Sequence, residues 1–110
     1  MPSGTWVIWL DQDIQIRTRM ALDRRGNVTH FTVQLEVWVG KKRPVVRYDN
    51  AHEEAHIDYI DPQGVTYDKV WLNLRKPFNV AMTRAENELK QDYPAHVERF
   101  RQQMETGQWS

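Results

Sequence analysis

Twelve residues hold most of the chemistry this chain can offer: Arg47-Tyr48-Asp49-Asn50-Ala51-His52-Glu53-Glu54-Ala55-His56-Ile57-Asp58. They bring two imidazoles, a phenol, a guanidinium and several carboxylates into one short span, which suits three kinds of site. The first is metal-independent phosphodiester cleavage. It needs a base for the 2′-hydroxyl, an acid for the leaving oxygen and a fixed cation for the phosphorane. His52 would be the base and His56 the acid, because imidazole titrates at about 6.5. Arg47 would clamp the phosphate, Asp49 would orient a histidine, and Tyr48 completes the group. The second is a metal site. His52-Glu53-Glu54-Ala55-His56 satisfies H-E-x-x-H, and on a helix two histidines four apart share one face, with Asp49, Glu53 or Asp58 to add a carboxylate. The run lacks the long apolar-faced helix of a zinc protease, and 110 residues leave little room for a substrate cleft. No metal and no other cofactor is therefore expected.

The third is a nucleic-acid or partner surface. Arg17, Arg19, Arg24, Arg25, Lys41, Lys42 and Arg43 would supply the charge, and a solvent-side Trp38 could stack on a base. A plainer account competes with all three. In it Asp49 and Asn50 form an Asx-type turn, and the basic residues solvate hairpin ends and blunt sheet edges.

The elements that must position these residues are legible from periodicity. Ile14, Ile16, Thr18 and Met20 alternate with Gln15, Arg17 and Arg19, which marks residues 13–21 as a strand with one buried face. Phe31, Val33, Leu35, Val37 and Val39 alternate with polar partners, so 28–39 is a long strand, stopped by Gly40-Lys41-Lys42. A further strand starts at Val45 in hairpin register with it, over 45–49. Trp6 to Leu10 is apolar on both faces and reads as a central strand. Trp6, Trp9 and Trp71 are expected in the core. Ile57 to Ile60 resumes a strand, Asp61-Pro62-Gln63-Gly64 is a turn, and 70–74 is a last strand or a docked loop.

From Asn79 the period changes. Met82, Ala85, Leu89, Tyr93, Val97, Phe100 and Met104 make a helical stripe, Asn79 is placed to cap it, and Arg84/Glu88 and Glu86/Lys90 make i,i+4 pairs. Pro94 predicts a kink or a break. The fold class is α+β: an antiparallel meander of four to six strands, then a C-terminal helix on one sheet face, in one domain over 1–110.

Fifteen basic and fifteen acidic residues cancel, which excludes a polybasic binder that works through bulk charge. The absence of cysteine excludes a disulfide scaffold, a thiolate metal site and a cysteine nucleophile. No apolar run approaches the roughly 20 residues of a membrane span, and Met1-Pro2-Ser3-Gly4 has no signal-peptide character. A cytoplasmic protein without membrane contact is expected.

Val45-Val46-Arg47-Tyr48-Asp49-Asn50-Ala51-His52, with His56 and the Asp61-Pro62-Gln63-Gly64 turn behind it, resembles a group of short prokaryotic proteins of unknown function. These share an R-Y-D-[NT]-A-H block after a β-hairpin and are related to the TumE-like toxins of toxin–antitoxin pairs. The resemblance covers roughly residues 28–65. Where TumE-like proteins carry a longer His- and Pro-rich stretch, this chain has only Glu53-Glu54-Ala55. The resemblance implies a small α+β toxin directed at RNA and neutralised by a helix-turn-helix antitoxin, with its block falling on Arg47, Tyr48, Asp49, Asn50 and His52 and with His56 downstream. The alternative function is a non-enzymatic module that binds a protein through an exposed sheet face. Nothing in the sequence sets the oligomeric state.

Overall fold

Period-two alternation carries directly into the architecture of the computed structural model, which describes residues 3–51 and 54–107. Six strands precede one helix: β1 (Ser3–Asp11), β2 (Ile14–Leu22), β3 (Val28–Val39), β4 (Lys41–Asp49), β5 (His56–Ile60), β6 (Thr66–Trp71) and α1 (Asn79–Thr106). The strands form one sheet in chain order, and each pairs with the next antiparallel. Short turns set this order. The Asp23 carboxylate accepts the Arg25 and Asn27 amides, and that of Asp61 accepts those of Gln63 and Val65. The tightest link is Gly40, whose φ of +74° suits a residue without Cβ between β3 and β4.

The helix covers one face. Its stripe of Ala81, Ala85, Leu89, Val97 and Phe100 is buried in one core with Ile16, Val33, Leu35, Val46 and Ile57 of the sheet. Phe78 plugs the end against Phe31, ring centroids 5.9 Å apart. Polar ties join the layers as well. Glu86 Oε2 accepts hydrogen bonds from Trp6 Nε1 (2.8 Å) and Thr18 Oγ1 (2.7 Å), and the Tyr48 hydroxyl donates to Glu88 (2.7 Å). Arg99 donates to the carbonyls of Ile60 and Val45.

Several local expectations are corrected. The apolar strand β1 is an edge, not a centre: Trp6, Ile8 and Leu10 turn partly inward, while Trp9 is 59% exposed on the other side. Trp71 is exposed too, because β6 is the opposite edge and lies open along its length. The strand expected from Val45 starts at Lys41, and the pairing slips at Pro44, which has no amide to donate. Asn79 does not cap the helix. Its side chain accepts the Val28 amide and donates to the Gly26 carbonyl, so it ties the helix start to the β2–β3 turn, and Phe78 holds the cap position. Glu86 turns to the sheet instead of lying on the wet side with Lys90, whereas Arg84 and Glu88 do pair, at 3.0 Å. The helix runs unbroken through Pro94, since buried residues on both sides, Leu89 and Val97, anchor it despite one missing donor. Among the described residues no helix is long and apolar enough to cross a membrane.

Two outcomes follow for stability. Leu89 is fully buried at the centre of the helix stripe, so Leu89→Ala should cost about 2–5 kcal/mol in denaturant unfolding. Burial, and then its bond to Glu88, raises the Tyr48 hydroxyl pKa well above the ordinary tyrosine value. Burial also raises that of Tyr59, whereas burial and then Arg99 lower that of His96. A raised folded pKa means stability that is complete below about pH 10 and lost above it. A lowered one means stability that is complete above about pH 6.5 and lost as the pH falls. Thermal midpoints should therefore decline on both limbs. Tyr48→Phe should flatten the alkaline limb while losing about 1 kcal/mol at neutrality, one buried hydrogen bond.

Candidate functional site

Among the described residues nothing forms a second layer on the face turned away from the helix, so its side chains satisfy one another. Register and alternation stack them in rows across the sheet. One row runs Val7, Arg17, Gln34, Arg47, Asp58, Lys69, and the next runs Thr5, Arg19, Thr32, Asp49, His56, Trp71. Glu36 is 3% exposed and anchors the middle. Its Oε1 accepts Gln15 Nε2 (2.7 Å) and Arg17 Nε (3.2 Å), and its Oε2 accepts Gln34 Nε2 (2.6 Å). Arg47 Nε donates to Gln34 Oε1 at 2.8 Å. This ladder holds Arg17 and Arg47 by their Nε atoms. Together with Arg19, Thr32, Gln34 and Asp49 they line a polar cleft of about 320 Å³. A larger hollow of about 650 Å³ adjoins it, shares Arg19, Thr32 and Asp49, and adds His30, Met20, Phe31 and Asn50 among its walls.

Beside the cleft lies a second group. His56 is 1% exposed, under the Trp71 ring at 5.1 Å. Its Nδ1 is 3.1 Å from the Glu54 carbonyl, and its Nε2 is 2.9 Å from Asp49 Oδ1 and 3.6 Å from Asp58 Oδ2. A carbonyl can only accept, so Nδ1 carries the hydrogen. Nε2 then faces two carboxylates. Asp49 Oδ1 also receives the Ala51 amide, which makes the anticipated Asx turn. Asn50 holds the same loop to β3, accepting the Phe31 amide and donating to the Thr29 carbonyl.

Of the residues singled out in the sequence, the structure brings Arg47, Asp49 and His56 together on the open face. Tyr48 points the other way, into the helix interface. His52 lies outside the described residues. His56 opens β5 instead of lying on a helix, so the helical i,i+4 premise of the H-E-x-x-H reading does not hold at its second histidine. The basic residues scatter as well. Arg17 and Arg19 sit mid-strand at the cleft, Arg24 and Arg25 at the β2–β3 turn, Lys41 and Lys42 at the β3–β4 hairpin. Arg43 is bound to the Val39 and Pro62 carbonyls. Sequence reasoning missed Thr32, Gln34 and Glu36 as parts of the site. The available signal was the set of polar positions at period two on neighbouring strands, which had to fall on one face once the order was sequential.

No curated protein and no solved structure matches the chain. A family match runs over residues 1–106, spanning every strand and the helix, and on that extent the chain belongs to a family described as a domain of unknown function, DUF7718.

Proposed function

We propose that the open sheet face is an RNA-directed surface that grips the phosphodiester backbone. One observation carries this reading: Arg17, Arg19 and Arg47, from two strands, converge on a single polar cleft. Planar guanidiniums held at Nε present their remaining N–H donors as forks matched to phosphate oxygens. The same face exposes Trp9, Trp38 and Trp71, on which unpaired bases can stack. A chain of zero net charge thus gathers three of its arginines at one cleft. Cleavage of the bound strand, as in a toxin of a toxin–antitoxin pair with a helix-turn-helix partner, is the activity this surface would serve. In it Arg47 keeps the clamp role. His56, sealed beneath Trp71, acts by holding Asp49 at the rim and does not itself meet the substrate.

A second reading rests on the exposed Trp9 and Val7 of β1, which give the face an apolar strip suited to a protein partner.

Binding of a fluorescent single-stranded RNA across a salt series separates the two. Each phosphate contact contributes a slope of about −0.7 in log affinity against log salt. Arg19→Ala and Arg47→Ala should each weaken binding and reduce the slope by about that amount. Affinity that is absent, or indifferent to both arginines, would leave the protein-binding module in its place. Expressed without a partner, the wild type should slow growth, with His52→Ala, His56→Ala and Arg47→Lys each relieving the defect while far-UV spectra stay unchanged. Intact RNA and unaffected growth would remove cleavage while leaving backbone binding to the salt series.

A further inference from the structure

The group next to the cleft has the makings of a metal centre. Asp49, His56 and Asp58 each offer one ligand atom, and these atoms all lie within 4.8 Å of one another. Ligands bound at about 2.0–2.2 Å stand about 2.8–3.6 Å apart at octahedral to tetrahedral angles. The observed 2.9 Å and 3.6 Å from His56 Nε2 to the two carboxylates fall close to that range. The imidazole is set as metal-bound histidines are, its far nitrogen donating to a backbone carbonyl, Glu54 O, so that Nε2 is the nitrogen turned to the carboxylates.

Asp58 has spare ligating capacity at Oδ1, the oxygen not paired with His56. Asp58 is 6% exposed, yet its buried Oδ1 accepts no hydrogen bond. The Lys69 amine stands 3.4 Å from that atom, on a side chain 40% exposed that also lies over the Trp71 ring. A buried carboxylate oxygen usually has a firmer partner. A flexible lysine at the sheet edge is a partner that can swing away when a cation enters.

We infer that Asp49, His56 and Asp58 bind one divalent first-row cation of the manganese or zinc kind at the edge of the arginine cleft. One imidazole and two carboxylates suit such ions better than calcium, which takes oxygen ligands only, and leave coordination positions for water or an anion. Asp49 belongs to both the metal group and the cleft wall, so an anion in the cleft would lie beside the ion. This departs from the sequence-based expectation of no metal. It stands on the geometry of three side chains and does not depend on RNA being the ligand.

The full chain titrated with Mn2+, followed by loss of the free-ion electron-spin resonance signal, tests the site. One ion per chain should bind at submillimolar affinity and quench Trp71, whose ring touches His56. The quench should vanish in Trp71→Phe while the stoichiometry stays. Asp49→Asn and Asp58→Asn should each weaken binding by about tenfold or more, and Arg19→Ala, expected to weaken RNA binding, should leave Mn2+ binding unchanged. Failure of the wild type to bind at millimolar Mn2+ overturns the site and leaves a closed ion-pair cluster. Binding that persists in both Asn variants, or occurs without quenching Trp71, overturns it equally by placing the ion elsewhere. The wild-type stoichiometry and quench decide the matter even if an Asn variant does not fold.

Discussion

A single helix can cover one face of a six-stranded sheet, and that constraint shapes everything on the other face. The covered side is built by ordinary apolar burial, with Val33, Leu35 and Val46 beneath Leu89 and Phe100. The uncovered side cannot stay apolar without inviting association, nor can it hold buried charge without partners. Its answer is Glu36, a nearly inaccessible carboxylate that accepts three donors from β2 and β3. That arrangement keeps the polar face structurally sound and simultaneously fixes two arginines at the wall of a cleft. Structural need and binding chemistry here share the same atoms.

Because side chains alternate across a sheet, the site exists only in one register. A slip of one residue between β3 and β4 would send Arg47 and Asp49 into the helix interface and bring Val46 and Tyr48 to the surface. The tight Gly40 link excludes that slip, and the Asp61–Gly64 turn does the same for β5 and β6. Tyr48, bonded to Glu88, locks the choice from the far side. The turns are therefore as much part of the site as the residues lining it, although none of them touches the cleft.

The sequence made the sheet legible wherever one face was uniformly apolar. β2 and β3 could be read because Ile14, Ile16, Val33 and Leu35 alternate cleanly with polar residues, and the helix because its stripe recurs at three or four. β1 misled for a physical reason: it is apolar on both sides, which normally marks a central strand, but here one side meets the helix and the other is left to solvent as Val7 and Trp9. Asn79 misled similarly, since a cap and a side-chain bond to a neighbouring turn ask for the same residue type. Within the candidate site, Arg47, Asp49 and His56 were legible because they are close in sequence. Tyr48 looked like their companion for the same reason, until alternation placed it on the opposite face. Glu36, Gln34 and Thr32 stayed hidden, because their part depends on which strands become neighbours and no local pattern states it.

The sequential order of the strands also governs how the chain comes off the ribosome. Each hairpin can close as soon as its second strand emerges, so the sheet needs no distant segment to assemble. The helix that seals it comes last. At synthesis rates of about 5–20 residues per second, its 28 residues take about 1.5–6 s to appear. During that interval Phe31, Val33, Leu35 and Val37 face water between two open sheet edges, a state prone to pairing with other nascent chains and attractive to chaperones. The charged reverse side then has another use: it makes the unfinished sheet sticky on one surface instead of two.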